Sequence, residues 1–255
     1  MPTLNTRRMA ALARAELTLL GRSKASLFTM LVLPVTMTFV FSTTTDQETL
    51  DKAGLTAGAV LLPGAIGFGL LFALYNGVTG VLVVRREQLV LKRLRTGEAR
   101  DVEILTGASL PSLIIALVQC VLLAVGCAVV FDMGLPPAPL LVVLGVVLGV
   151  VMLGALGAAT AGVTKSAEAA QLTVLPMMLL SIAGSGVAVP LEVFPDSLAS
   201  ACELLPLTPV VELVRGGWTG SMSGADVLGH VLTAVAWTVL AVFAVRRWFR
   251  WEPRR

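Results

Sequence analysis

Charge is scarce in this sequence, and titratable chemistry is scarcer. Of 255 residues only 14% are Asp, Glu, Lys or Arg, with one His, one Tyr and three Cys, whereas soluble domains are roughly a quarter charged. Cys120 and Cys127 share one apolar run and Cys202 stands alone, so the cysteines make no disulfide framework and redox chemistry has no support. With a lone His230 the spacing of a metal site is missing, as is a pair of carboxylates poised for acid and base work. Ser181 and Ser185 have no His or Lys near them in their apolar run, which leaves a hydrolytic serine without its base. A phosphate-cradling G-x-x-x-x-G-K-[ST] loop is absent too. Any uphill work by this chain therefore draws its energy from another polypeptide.

What the chain has in quantity is apolar length. Hydrophobic residues make up 56% of it and the mean hydropathy is +0.88. Apolar runs cover about residues 26–42, 53–84, 108–131, 138–164, 169–191 and 227–245, most of them near or above the ~20 residues a membrane-spanning helix needs. Threaded as six spans, they sort the basic residues to one side. Arg7, Arg8, Arg14, Arg22 and Lys24 precede the first span; Arg85, Arg86, Lys92, Arg93, Arg95 and Arg100 lie between the second and third. Lys165 lies between the fourth and fifth, and Arg246, Arg247, Arg250, Arg254 and Arg255 form the tail. Those are seventeen of the nineteen; only Lys52 and Arg215 fall on the other side, while the acids split seven to nine. Lys and Arg near span ends stay cytoplasmic and acids show little such bias, so both termini are expected in the cytoplasm.

The fold class is thus an all-α integral membrane protein with six transmembrane helices, both termini inside, organised as one domain over 1–255. Residues 1–25 read as a cytoplasmic interfacial helix, because Met9, Leu12, Ala13, Leu17 and Leu20 share a face with Arg7 and Arg14 opposite; a solvated basic arm is the alternative. Spans 1 and 2 occupy 26–84, a cytoplasmic segment 85–105, spans 3 to 5 residues 108–191, short outer helices 192–226, span 6 residues 227–245 and a cytoplasmic tail 246–255. The first span begins late and ends in Ser42 to Thr45 without a convincing cleavage site, so it is read as retained. Pro34, Pro63 and Pro176 interrupt spans 1, 2 and 5 and permit bending. Gly145, Gly149, Gly154 and Gly157 give span 4 a small face for close approach, either within one bundle or between subunits.

Span interiors carry no Asp, Glu, Lys or Arg, which argues against a proton- or ion-coupled carrier, and no sequence repeat relates the halves, which disfavours an inverted-repeat transporter. The basic residues flank spans instead of lining one polar face, so membrane orientation explains them better than nucleic-acid binding. Arg outnumbers Lys fifteen to four, a bias common in GC-rich bacteria.

Residues 85–105 carry the most information. As a helix, Val90, Leu91 and Leu94 share one face flanked by Arg86, Lys92, Arg93 and Arg95, a pattern suited to docking in a partner's groove; a solvated loop that only sets topology is the alternative. Arg86, Glu87 and Gln88 followed by Leu91, Lys92, Arg93, Leu94 and Arg95 resemble the coupling segment of type-2 ABC exporter permeases. That family commonly has Gly where this chain has Leu89, and Thr and Pro where it has Thr96 and Gly97. Pro190, Leu191, Phe194, Pro195, Leu205, Pro206, Leu207, Pro209, Val214 and Arg215 resemble the family's outer P-L-x-x-F-P and P-L-x-P pattern with its terminal Arg, expected as two short helices around 196–204 and 209–215. The order of features at the amino end, with Arg22 before a span containing Pro34, is similar as well.

The resemblance implies a permease subunit of an ABC exporter, without an ATPase site of its own, in the inner (plasma) membrane of a bacterium. Its partners would be a separate ABC ATPase subunit, which binds the ATP and Mg, and a second permease chain in a homodimer or heterodimer. Glu87, Gln88, Leu91, Arg93 and Leu94 would couple to the ATPase. The substrate pathway would use spans 2 and 5, here Phe68, Phe72, Tyr75, Asn76 and Thr79 with Gln171, Thr173, Met177, Met178 and Ser181; ordinary helix packing is the competing role for each. That surface is apolar with few fixed charges and suits a hydrophobic or amphiphilic cargo such as an antibiotic, drug or lipid. Polysaccharide or sodium export, or a nontransporting sensor or immunity partner, are the alternative functions.

Overall fold

The computed structural model describes residues 56–97, 100–187 and 189–252, together with 14, 18, 28, 32, 34–40 and 43 nearer the amino end. The expected interfacial helix and most of the first span lie outside the described residues, although 34–40 are helical. All regular structure among the described residues is helical. Helices α1 (Ala57–Leu70) and α2 (Gly77–Glu87) are joined without a break by a π-helical segment, Leu71–Asn76, and are followed by the short α3 (Val90–Arg95). Long helices α4 (Asp101–Val130), α5 (Pro139–Val163) and α6 (Ala167–Gly184) come next. A 3-10 turn at Leu191–Val193, then α7 (Asp196–Glu203) and α8 (Thr208–Thr219), lead to the last helix, α9 (Gly224–Trp248).

Among the described residues, five helices are long and apolar enough to cross a membrane, or six if α7 and α8, bent by 101°, count as one span. The α1–π–α2 rod is the axis of the bundle. Its apolar stretch is 89% buried, while that of α9 is only 11% buried. Around the rod pack α4, α5, α6 and α8, and α9 lies outermost against α5 and α8. In lipid, an apolar helix exposed on most sides is as favourably placed as a buried one, because no hydrophobic force separates it from acyl chains. Close backbone approach therefore decides which helix sits in the middle. A Cβ on Gly157 would stand 2.8 Å from the Tyr75 carbonyl, and Cβ atoms on Gly145 and Gly149 would stand 3.0 Å from Leu213 and Val210. The small face of α5 thus receives the rod and α8 within one chain; a Cβ on Gly154 would meet nothing within 4 Å among the described residues.

Helix α8 is the other buried element. Pro209 opens it in the first turn, where a missing N–H costs nothing, and Thr208 donates to the Cys202 carbonyl at 2.6 Å, which fixes the α7–α8 bend. The Trp237 indole of α9 donates to the Leu204 carbonyl at 2.8 Å. Arg215 on α8 is buried, with Glu212 at 2.9 Å, Glu192 at 3.3 Å and the Gly186 carbonyl at 3.3 Å. Helix α6 stops at Gly184, seven residues short of the apolar run's end at 191. Beyond it the chain turns through Gly186 (φ +72°), and the Val187 carbonyl rests where a Cβ on Gly64 would be, 2.3 Å away. Burial of that turn against α1 explains why it reads as apolar.

Candidate functional site

Three helix ends meet at the far end of the bundle from the α7–α8 bend, and two neighbouring residues of opposite charge join them. Arg86, in the last turn of α2, reaches the end of α5 and donates to the carbonyls of Ala161, at 2.8 Å, and Thr164. Its side chain is buried. A cation there faces the negative end of the α5 dipole and occupies carbonyls that have no partner within the helix. Glu87 points the other way, and its Oε1 accepts from the Ala167 N–H, the first residue of α6, at 3.1 Å. The Ser166 hydroxyl accepts from Ala169 N–H at the same end, so a carboxylate and an N-cap together serve the positive pole of α6. The α5–α6 junction is gripped from both sides by α2.

The chain then turns into α3 at Leu89, which has φ +59°. This is the position where the resembling family commonly has Gly, and a left-handed residue just after a helix is the ordinary use of Gly. Beyond the turn Leu91 is wholly buried and pins α3 to the bundle, Leu94 is half-buried, and Lys92, Arg93 and Arg95 are exposed. Helix α3 is tied at two further points. Arg95 Nε bonds Asp101 Oδ1 at the start of α4, 3.1 Å away, and Lys92 Nζ meets Glu252 Oε1 at 2.8 Å.

Glu252 belongs to the carboxyl-terminal tail, which leaves α9 at Phe249 in an extended conformation. Phe249 packs on Gly162 of α5, its Cα 3.3 Å from where a Cβ would be. Its ring meets Trp251 edge to face at 5.2 Å, and the Arg95 guanidinium lies over the Trp251 ring at 4.8 Å. Between tail and helix runs a groove of about 620 Å³, walled by Lys92, Arg95 and Thr96 on one side and residues 249–252 on the other.

The residues expected to couple to a partner are placed as follows. Glu87 is engaged with α6, Gln88 accepts from Arg85 at 2.8 Å, and Leu91 faces the chain's own interior. Its burial assigns Leu91 to anchoring α3, and Arg93 and the edge of Leu94 are what α3 offers outward. Lys92, Arg95, Trp251 and Glu252 join them. The tail's part was invisible in the sequence, because nothing local to residues 249–252 says which way the chain turns after α9.

The expected pathway residues divide in two. Phe68, Tyr75, Thr79, Met178 and Ser181 are buried within the chain. The Tyr75 hydroxyl shares a hydrogen bond with Thr160 at 3.1 Å, and Thr79 donates to the Tyr75 and Gly157 carbonyls, so both bind the rod to α5. Phe72, stacked on Phe68 at 5.4 Å, Asn76, Thr173 and Met177 are half-buried, and Gln171 is exposed. The π segment carrying Phe72 and Asn76 abuts α6, which carries the other three.

No curated protein matches this chain. The family described as "ABC-2 type transporter" matches residues 7–218, a stretch that takes in the rod, α3, the gripped junction and α8. The chain belongs to the ABC-2 type transporter family.

Proposed function

We propose that this chain is the membrane-spanning subunit of an ATP-driven exporter, with both termini in the cytoplasm of a bacterial cell and α3 as the element that receives motion from a separate ATPase. Family membership supports a permease subunit, and the one-sided distribution of Lys and Arg supports the orientation. The observation that carries the mechanism is the junction at Arg86 and Glu87. Helix α3 carries Arg93 exposed, yet it is continuous through Leu89 with residues that hold the ends of α5 and α6. A push on α3 is therefore delivered to three spans at once, since short polar contacts at helix ends transmit displacement where lipid-facing apolar surfaces would slide. ATP and Mg belong to the ATPase; this chain supplies the lever and the path.

A second permease chain would cover the apolar side of α6 on which Leu172, Leu179 and Leu180 are exposed. Phe72, Asn76, Thr173 and Met177 are half-buried and Gln171 is exposed, and an aromatic and thioether surface with a few neutral polar groups fits a hydrophobic or amphiphilic cargo.

The test is ATP hydrolysis and amphiphile efflux by vesicles holding this chain and its ATPase. Arg93→Glu is the informative variant, because Arg93 is exposed and its reversal leaves the fold intact, whereas an acid at Leu91 would be buried unpaired. Reversal is expected to weaken ATPase binding roughly tenfold or more, since like-charge contacts at an interface are costly. Unchanged binding and efflux in Arg93→Glu would remove α3 from the coupling path.

A further inference from the structure

The tail beyond α9 is not part of a bundle helix, yet it is placed by four separate contacts. Phe249 sits against Gly162, its ring meets Trp251, Trp251 lies beneath Arg95, and Glu252 pairs with Lys92. Two of these contacts go to α3, the element already read as the lever. An exposed ion pair and an exposed cation–π contact are each weak in water, so they position the tail without locking it there. The groove left between tail and helix is electropositive. Among the residues that line it, three cations, Lys92, Arg95 and Arg250, face one anion, Glu252, and Arg250 makes no ion pair among the described residues. One wall carries a half-buried Trp beside Arg, the two residue types that most often anchor protein interfaces.

Resting on the exporter reading above, we infer that residues 249–252 are the second wall of the ATPase-binding surface, and that the groove between them and α3 receives a carboxylate-bearing segment of the ATPase. An acidic segment would meet the surplus cations, and its seating would bridge α3 and α9. The last span would then follow the lever, although among the described residues α9 itself packs chiefly on α5 and α8. Charge complementarity of this kind sets orientation and encounter rate, while the desolvated Trp supplies retention.

The test uses the full chain in vesicles of neutral lipid and, separately, of neutral lipid with phosphatidylglycerol, with the ATPase subunit that co-purifies with it added from solution. Trp251→Ala should weaken ATPase binding about tenfold without lowering the melting temperature of the permease alone. Glu252→Lys should weaken binding by separating tail from helix, and the exchange Lys92→Glu with Glu252→Lys should restore it. ATPase binding by Trp251→Ala equal to the parent's, while Arg93→Glu loses it, overturns the tail's role and leaves the exporter reading standing. Tail variants that change only the response to phosphatidylglycerol overturn it as well, assigning the groove to an anionic lipid headgroup. Failure of the parent chain to bind any ATPase instead defeats the exporter reading on which the inference rests.

Discussion

Two arginines are buried at the two ends of this bundle, and they are accommodated differently. Arg86 is 1% exposed and donates to two main-chain carbonyls at the end of α5. Arg215 is 4% exposed and sits between the carboxylates of Glu212 and Glu192, with the Gly186 carbonyl as its one main-chain acceptor among the described residues. A helix-end carbonyl cannot leave its cation unless the helix frays, whereas a carboxylate on a side chain can swing away; Glu192 is already about half exposed, at 47%. The end near α3 is thus a rigid junction, and the end near the α7–α8 bend is adjustable. For a lever-driven permease this division is mechanically apt, with stiffness where motion enters and compliance on the opposite side.

The contrast is broken most severely by Arg86→Ala. Two buried carbonyls would lose a charged donor, at about 1–3 kcal/mol each, so a loss of roughly 3–5 kcal/mol in stability is expected, measured as thermal unfolding in detergent. Arg86→Lys should recover only part of that, because an ammonium group lacks the planar fork that reaches both carbonyls. Melting of Arg86→Ala together with the parent would mean the junction is not what joins α2 to α5.

Arg215 permits an experiment that Arg86 does not. Arg215→Met strands Glu212, whose side chain is only 14% exposed, and should cost about 3 kcal/mol. Adding Glu212→Met removes the stranded acid, and the double variant should regain most of the loss, since a buried ion pair replaced as a unit is often neutral. The Ala161 and Thr164 acceptors of Arg86 are main-chain atoms, which no second substitution can delete. A double variant as unstable as Arg215→Met alone would show that the outer network acts through packing and not charge.

How much of this was legible beforehand follows the range of the forces involved. Span 4 was placed at 138–164 and the helix runs Pro139–Val163, because a long apolar run with few charges has one economical structure in a membrane. The short helices expected around 196–204 and 209–215 fall at Asp196–Glu203 and Thr208–Thr219, where Pro195 and Pro209 punctuate the chain. Side-chain direction was not legible. Leu91 shares a face with Leu94 on any helical wheel, but which of them is buried depends on the left-handed turn at Leu89. Tyr75 and Thr79 look like polar groups lining a path, and they face α5 only because Gly157 lets that helix within hydrogen-bonding reach. The burial of Arg86 and Arg215 was not legible either, because sequence does not say where a helix end will be found in space.

The smallest expected effect sharpens the picture of the stiff end. Leu89 links the Arg86 junction to α3: its N–H donates to the Arg86 carbonyl and its own carbonyl accepts from Arg93, each at 3.0 Å. At φ +59° its Cβ crowds the backbone, a strain of about 1–2 kcal/mol for an L-residue. Leu89→Gly would relieve that strain at an entropic cost of about 0.5–1 kcal/mol, so a net gain of roughly 0.5 kcal/mol in stability is expected. The same change makes the turn freer, because glycine occupies other wells that leucine is denied. If α3 works as a lever, a more stable protein should then hydrolyse ATP with less efflux per turnover, since the link between push and junction has softened. A variant that gains stability and keeps its coupling would place the stiffness in Leu91 and the Asp101 contact instead of the turn.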